Sequence, residues 1–257
     1  MDYLELNKRA WDKRVKTHMA SKFYDVEAFL AGKSSLQEIE LAELGDVDGK
    51  SLLHLQCHFG LDTLSWVRKG AIATGVDLSS TAIDQANKLK KETNLNARFI
   101  CSDVYAYAGD VTAGHDIVFT SYGAVCWLPC LDKWAHTINK NLRRGGTFYM
   151  VEFHPVYDLV SGYSYFHHSQ PDIEEEETYT ENSDGQKASV AVWSHPLSDV
   201  INALLKINLR IEHVNEFPYS PYNCFEGLEE KQNGRYFLSK SGQDVPLLYS
   251  IKATKTA

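Results

Sequence analysis

Short apolar runs alternate with amphipathic segments between residues 51 and 153, and this alternation restricts the possible folds more than any other feature of the chain. The clearest amphipathic segment places Leu131, Trp134, Ala135, Ile138 and Leu142 at positions i, i+3, i+4, i+7 and i+11, which predicts one apolar face of a helix. Strands that alternate with helices form a parallel, doubly wound sheet. The apolar runs predict strands at residues 51–55, 71–77, 97–101, 116–121 and 147–153.

The segments outside this region have other patterns. Residues 1–45 carry apolar side chains at helical spacing. Residues 156–194 are aromatic and acidic, include four consecutive glutamates, and are interpreted as an inserted cap. A further helix is expected near Pro196, followed by closing strands at 209–217 and 246–254 with a long loop between them.

These patterns predict one domain over the whole chain. Its parts are an N-terminal helical segment (1–45), a core (46–155), the inserted cap (156–194), and a closing helix with strands (195–257).

The charge balance restricts the possible partners. The chain has 26 Lys and Arg against 34 Asp and Glu, a net charge of −8. A nucleic-acid partner would require a basic surface, so none is expected. No stretch approaches the roughly 18 apolar residues of a membrane span, and the first residues lack a signal-peptide pattern. We therefore expect no membrane partner and a cytoplasmic location.

Asp77 follows the second predicted strand, and an acidic residue at that place is typical of a nucleotide-binding half-fold. A strand, a turn, a helix and a second strand precede it, and such a carboxylate accepts hydrogen bonds from ribose hydroxyls. Alternatively, Asp77 caps the helix that begins near Ser79.

The turn after the first strand reads Leu-Gln-Cys-His-Phe-Gly. Gln56 and His58 occupy positions where glycine would let a pyrophosphate approach the backbone, and only Gly60 remains. Asp62 adds negative charge in the first turn of the next helix, where a phosphate would bind. A dinucleotide is therefore disfavoured, and an NAD-dependent oxidoreductase is kept only as an alternative. S-adenosylmethionine has no phosphate.

Together these residues resemble the class I S-adenosylmethionine-dependent methyltransferases. The stretch Gly75–Ser79 is similar to the ribose motif of the family, Cys101–Val104 to its adenine motif and Asp116–Ser121 to its fourth-strand motif. The first motif departs from the family pattern, because His54 replaces the usual acidic residue and side chains replace two glycines. The resemblance covers roughly residues 50–153.

The resemblance implies a fold and an activity. The expected fold is α/β: a doubly wound, mostly parallel, seven-stranded Rossmann-like sheet with helices on both faces, an N-terminal helical lid and the inserted cap. The expected activity is in-line methyl transfer from S-adenosylmethionine to a small-molecule acceptor, which leaves S-adenosylhomocysteine. A catalytically inactive cofactor-binding or regulatory protein of the same fold is the alternative, and the degenerate first motif supports it.

The resemblance also implies roles at the nucleoside end of the cofactor. Asp77 would hold the ribose and Leu78 would pack on the adenine. Asp103 would accept from the adenine amino group and Val104 would offer a backbone donor. For Asp103 a simple turn residue is the alternative.

For the methionyl arm, the resemblance implies backbone groups of Gln56 and Gly60, with Ser121 and Tyr122 beside them at the end of the fourth strand. Trp11 and Arg14 share a helix face in the predicted lid, and Arg14 could meet the methionine carboxylate. In the alternative interpretation these two residues are a core side chain and a solvated charge.

Candidates for catalysis lie beyond the carboxyl ends of the fourth and fifth strands, where a doubly wound sheet opens its crevice. His154 is the first choice for a general base, since its ordinary pKa lies near neutrality, and a structural histidine is the alternative. Tyr122 is the second candidate. No Cys-x-x-Cys or His-Glu-x-x-His pattern occurs, so no metal is expected. Further candidates by position are Trp127, Glu152 and His195.

Overall fold

The computed structural model describes residues 2–109, 114–232 and 234–256. The helices are α1 (Tyr3–Met19), α2 (Val26–Leu30), α3 (Glu38–Leu44), α4 (Leu61–Arg68), α5 (Ser80–Glu92), α6 (Leu131–Asn141), α7 (Val156–Val160) and α8 (Leu197–Lys206), with a 3₁₀ turn at Val125–Trp127. The strands are β1 (Ser51–Leu55), β2 (Ile72–Asp77), β3 (Arg98–Cys101), β4 (His115–Ser121), β5 (Leu142–Phe153), β6 (Asp172–Glu176), β7 (Ala188–Val192), β8 (Leu209–Phe217), β9 (Glu229–Gln232), β10 (Arg235–Phe237), β11 (Ser239–Lys240), β12 (Gln243–Asp244) and β13 (Leu248–Lys255).

Seven strands form the central sheet, in the order β3-β2-β1-β4-β5-β13-β8. The strands from β3 to β5 pair in parallel, and β13 pairs antiparallel with both β5 and β8. The predicted doubly wound, mostly parallel α/β fold is confirmed. The strand order reverses between β1 and β4, and in such sheets ligands bind beyond the carboxyl ends of the strands at that point.

Successive residues of the central strands pack on opposite faces of the sheet. On one face, Leu53 and Val118 pack with apolar side chains of α6 and α8. On the other face, Leu52 and Phe119 pack with α3 and with Trp66 of α4. Because helices cover both faces, β1 and β4 are buried on both sides, which explains their nearly continuous apolar sequence.

The N-terminal helix joins the inserted segment to the sheet. In α1, the side chain of Asn7 donates to the carbonyl of Ala191 in β7 and accepts from its N–H group, both at 2.8 Å. Asp12 accepts hydrogen bonds from Ser79 Oγ and Thr81 N where α5 begins. α1 therefore lies across the edge of the sheet where β2 ends. No helix within the described ranges is long and apolar enough to cross a membrane.

The connections differ from the sequence prediction. β5 begins at Leu142 instead of after Gly146, because His115 of β4 pairs with Leu142 before the register shifts. Pro196 is the N-cap of α8 and not its first helical residue. The predicted long loop contains two hairpins, β9–β10 and β11–β12. Mostly polar, exposed residues form them, so no alternating apolar pattern marks them in the sequence.

Gly60 stands where the chain passes from β1 into α4. Its φ of +81° is in the left-handed region, and a Cβ atom added there would lie 2.5 Å from a ring carbon of Phe99. Two requirements, backbone conformation and the close approach of a side chain from β3, therefore restrict this position to glycine.

Gly60→Ala is expected to destabilise the protein by both effects. The left-handed backbone costs a side chain about 1–2 kcal/mol, and the clash with Phe99 adds about 1–3 kcal/mol. The matched control is Gly49→Ala, because Gly49 has a φ of +68° and nothing lies within 4 Å of its added Cβ atom. Urea unfolding should show the larger loss for Gly60→Ala, and equal losses would contradict this account.

Candidate active site

A cavity of about 500 Å³ lies at the carboxyl ends of β1, β4 and β5. Its walls come from α1, the segment between α1 and α3, the turn after β1 with the start of α4, the loop after β4, the inserted segment and the segment after β8. Seven residues selected from the sequence line it, from three separate parts of the chain: Trp11, Arg14, Gln56, Gly60, Ser121, Tyr122 and Trp127.

The turn after β1 keeps a glycine-like backbone although two of its glycines are replaced. Gln56 has a φ of +58°, His58 of +50° and Gly60 of +81°. Asp77 at the end of β2 holds this turn, since its Oδ2 accepts from His58 N at 2.7 Å. Cys57 N donates to the carbonyl of Val76 at 3.0 Å. Two consecutive residues of the turn, Cys57 and His58, are therefore hydrogen-bonded to the neighbouring strand β2.

The side chains that replace the glycines make contacts of their own. Gln56 Nε2 donates to the carbonyl of Ala124 at 2.7 Å, and its Oε1 is buried with no hydrogen-bond partner among the described residues. His58 Nε2 lies 2.9 Å from Nδ1 of His18 in α1. The ring of Trp11 contacts the His58 ring edge to face, with centroids 5.1 Å apart. Gln56 thus ties the turn to the loop after β4, and His58 ties it to α1.

Arg14 is buried on the cavity wall. It is 6% exposed, and Nη2 forms an ion pair with Glu176 Oε1 of β6 at 2.7 Å. Its Nε is buried and has no hydrogen-bond partner in the part of the chain that the structure describes. Trp11, one turn earlier, contacts Trp127 edge to face at 5.2 Å. The alternative interpretation of Arg14 as a solvated surface charge is therefore wrong.

Asp62 is a cavity residue for which the sequence analysis proposed no binding role. It accepts hydrogen bonds from Ser35 Oγ at 2.7 Å and from Ser121 Oγ at 3.2 Å. The same Ser121 Oγ lies 3.2 Å from Nε2 of His54, the residue that replaces the acid of the first motif. Burial raises the pKa of Asp62 and lowers that of His54 to about 3. The signal in the sequence is an acidic residue in the first turn of α4, which by itself indicates only that no phosphate binds there.

The residues predicted for the nucleoside lie at the ends of β2 and β3, outside the walls of this cavity. Asp77 Oδ1 accepts from Ser79 N at 2.8 Å, and burial raises the pKa of this carboxyl to about 6. Asp103 Oδ1 accepts from Tyr105 N at 3.1 Å, as in a turn. Val104 packs in the core beneath α6, and Leu78 follows Asp77 directly.

Tyr122 rests on a buried acid of α3. Its hydroxyl donates to Glu40 Oε2 at 2.8 Å, and Glu40 Oε1 accepts from Gln37 N at 2.6 Å. Burial raises the pKa of Glu40 to about 8. Burial and the neighbouring Glu40 both raise the pKa of Tyr122 well above its ordinary value, so its hydroxyl keeps its proton at neutral pH.

The two histidines nominated for catalysis do not line the cavity. His154 Nε2 bonds to Glu216 Oε1 at 2.7 Å, and its Nδ1 accepts from Val156 N at 3.2 Å. Both ring nitrogens therefore serve local structure, and a catalytic role for His154 stays a prediction. His195 Nε2 donates to the carbonyl of Leu128 at 2.7 Å.

Glu152 at the end of β5 shapes the loop after β4. It is 2% exposed, and its carboxylate accepts from the backbone N–H groups of four residues, Gly123, Ala124, Val125 and Phe153. Trp127 Nε1 then donates to the carbonyl of Gly123 at 2.7 Å. Glu152 therefore positions the loop that presents Trp127 to the cavity.

Across residues 2–109, 114–232 and 234–256, no group of three or more His, Cys, Asp or Glu side chains could hold a metal ion.

Comparisons with known proteins agree with this description. Residues 52–146 match a family model described as a methyltransferase domain. No curated protein sequence gives a significant match. A structure of an S-adenosylmethionine-dependent methyltransferase from Clostridium acetobutylicum is 13% identical, with a TM-score of 0.61 and coverage of 96% of this chain and 100% of the other.

Two further solved structures are similar. An S-adenosylmethionine-dependent methyltransferase from Mesorhizobium loti is 17% identical, with a TM-score of 0.57 and coverage of 88% of this chain and 99% of the other. The complex of DhpI with SAH is 14% identical, with a TM-score of 0.60 and coverage of 99% and 97%. At such low identities these structures show the fold alone, and together with the match over residues 52–146 they agree with the resemblance found in the sequence.

Glu40→Gln is expected to make the protein less sensitive to alkaline pH. The pKa of Glu40 is about 8 in the folded protein against an ordinary 4.5, so the folded state holds a proton that the unfolded state has lost between these values. Stability therefore falls as pH rises through this window, by roughly 2–4 kcal/mol from this group. Urea unfolding at pH 5 and pH 9 should show a smaller loss for Glu40→Gln than for the wild type. Exposed Glu38→Gln on the same helix should behave like the wild type, and parallel losses in all three proteins would refute this origin.

Proposed function

We propose that this chain is an S-adenosylmethionine-dependent methyltransferase that acts on a small-molecule acceptor. The match to a methyltransferase domain and the shared fold support the activity in general terms. The observation that carries the proposal is that two cavity-lining residues, Arg14 and Gln56, each have a buried polar atom without a hydrogen-bond partner among the described residues.

Those polar atoms suit the methionyl arm, which carries an ammonium and a carboxylate group. The unpartnered Nε of Arg14 is a donor for the carboxylate. The unpartnered Oε1 of Gln56 and the carboxylate of Asp62 are acceptors for the ammonium. In the family that the sequence resembles, the acid of the first motif helps to hold the methionine amino group, and His54 stands in its place here. We therefore assign that contact to Asp62, with Ser121 beside it and Gly60 leaving room for the arm.

We assign the nucleoside to the ends of β2 and β3. A carboxylate has about four acceptor sites, and Asp77 uses two of them on His58 N and Ser79 N, so acceptor sites remain for a ribose. Leu78, Asp103 and Val104 follow these strands and are kept as the adenine residues.

Bound S-adenosylmethionine supplies a methyl group on a positively charged sulfur, which a nucleophile attacks in line. Trp11 and Trp127 meet over the turn after β1 and limit the access of water. The Tyr122 hydroxyl keeps its proton at neutral pH, because its pKa is raised, and it therefore does not serve as a general base. Held by its hydrogen bond to Glu40, it positions the acceptor instead.

Asp77→Ala should lower the affinity for S-adenosylhomocysteine at least about tenfold, because a buried polar recognition partner is lost. Isothermal titration calorimetry measures this affinity, and circular dichroism checks that the fold is intact. Asp48→Ala, in an exposed turn before β1, is the control and should bind like the wild type. No binding of S-adenosylhomocysteine to the wild type at sub-millimolar concentration would refute the proposed function, and full binding by Asp77→Ala would refute the ribose assignment.

Asp62→Asn should weaken S-adenosylhomocysteine, which has the methionyl ammonium group, by about tenfold or more. The same change should leave the affinity for methylthioadenosine unaltered, since that nucleoside lacks the amino acid arm. Competition calorimetry with both ligands separates a role for Asp62 at the ammonium from a general disturbance of the site. Equal weakening of the two ligands would argue against the assignment.

A further inference from the structure

The charged side chains on the cavity wall do not balance. Among the described residues the cations on this wall are Arg14 and Lys33, and each is used in an ion pair, with Glu176 at 2.7 Å and with Asp25 at 3.2 Å. The carboxylates on the wall are Asp25, Asp62, Asp158, Asp172, Glu174 and Glu176. After these pairs, and with Asp62 assigned to the cofactor, three carboxylates are left without a countercharge.

Two of these three belong to one face of β6. Residues two apart on a strand point the same way, so Asp172, Glu174 and Glu176 face the cavity together. Glu175 points to the other side, where its carboxylate accepts from Ser189 Oγ of β7. Because side chains alternate along the strand, Asp172, Glu174 and Glu176 form an acidic stripe on the side of β6 that lines the cavity.

The third carboxylate comes from α7. The side chain of Asp158 lines the cavity from this helix. Burial, followed by the charge of Glu152, raises the pKa of Asp158 to about 6. Tyr163 lies among these acids, since burial and then Glu174 and its neighbours raise the pKa of its hydroxyl. The carboxylates of Asp158, Asp172 and Glu174 thus all lie near one hydroxyl group, that of Tyr163.

The same wall carries an independent sign of a missing ligand. Trp193, directly after β7, lines the cavity and is 4% exposed, and its buried Nε1 finds no hydrogen-bond acceptor among the described residues. Trp193 and Tyr163 both line the cavity, as the acidic residues of β6 do. A ligand that brings both a positive charge and an oxygen atom would satisfy the carboxylates and the indole together.

We propose that the inserted segment binds the acceptor as a small organic cation, an amine in its ammonium form that also carries an oxygen function. This inference rests on the proposed function and names its substrate class. A cation would be attracted by Asp158, Asp172 and Glu174 in a cleft of one sign, where the low-dielectric walls focus the field. The rings of Tyr163 and Trp193 add cation–π attraction. An anion of the same shape would be repelled by all three carboxylates.

Three probes of nearly equal shape test the charge. They are phenylalaninol, which is an ammonium at neutral pH, 3-phenylpropane-1,2-diol, which is neutral, and 3-phenyllactate, which is an anion. Calorimetry on the full chain saturated with S-adenosylhomocysteine should give the highest affinity for phenylalaninol, at least about tenfold above the diol, and no binding of the anion.

Residues of β6 and α7 provide the variants, and the neighbours Glu174 and Glu175 of β6 form a matched pair. Glu174→Gln and Asp158→Asn each remove one charge from the cavity and should each weaken phenylalaninol about tenfold. Glu175→Gln removes the same charge from the opposite side of the strand and should bind like the wild type. The affinity for S-adenosylhomocysteine should be unchanged in all three variants, which shows that the cofactor site is intact.

The outcomes separate the two proposals. If the wild type binds S-adenosylhomocysteine but binds the diol or the anion as tightly as phenylalaninol, the inferred substrate class is wrong and the proposed function stands. Equal affinities of Glu174→Gln and Glu175→Gln for phenylalaninol, with Asp158→Asn also unchanged, overturn the inferred site. If S-adenosylhomocysteine itself does not bind to the wild type, the proposed function fails first.

Discussion

The hydrogen bond from His58 N to Asp77 is the constraint on which the cavity depends. It fixes a turn in which three of five residues are left-handed, two of them with side chains. A left-handed conformation costs a residue with a Cβ atom about 1–2 kcal/mol, so the turn needs external support. Asp77 provides that support from the adjacent strand. Because the same carboxylate is proposed to hold the ribose, the nucleoside and methionyl ends of the cofactor site depend on one residue.

The side chains that replace the glycines are used to close the site. Gln56 reaches the loop after β4 through Ala124, and His58 reaches α1 through His18. Burial, with the charge of Arg14, lowers the pKa of His18 to about 3, so the two rings share a hydrogen bond without sharing a charge. A glycine at either position would give the same backbone and none of these contacts. The side chains at positions 56 and 58 therefore attach the turn to the loop after β4 and to α1.

The sequence predicted the sheet well because its central strands are buried on both faces. Residues such as Leu52 and Leu53 are apolar in succession, and turn glycines and helical periodicity mark the boundaries of the elements around them. Trp11 and Arg14 could be placed near the cofactor only through the resemblance, and the structure brings both to the cavity wall. His154 could not be excluded from the wall, because only the packing of β8 brings Glu216 to its ring.

Asp62 and the inserted segment show a different reason why sequence reasoning stops short. The importance of Asp62 comes from its contacts with Ser35 and Ser121, which lie 27 and 59 residues away along the chain. In the sequence, the run of acidic residues in the inserted segment is typical of a solvent-exposed surface. Only the pairing of β6 with β7 decides that Glu174 faces inward while Glu175 does not.

Several charged and polar groups at the cavity are unfavourable for the stability of the folded protein. Buried carboxylates with raised pKa values, such as Asp62 and Asp158, weaken the folded state at neutral pH, because the unfolded chain would release their protons more readily. A protein tolerates such local conflicts mainly at functional sites, where a ligand compensates them. Asp62, Asp158 and the buried donors of Arg14 and Trp193, which have no hydrogen-bond partner among the described residues, are conflicts of this kind in one cavity. The proposed cofactor and the proposed acceptor would together bring positive charges to the acids and oxygen atoms to the donors.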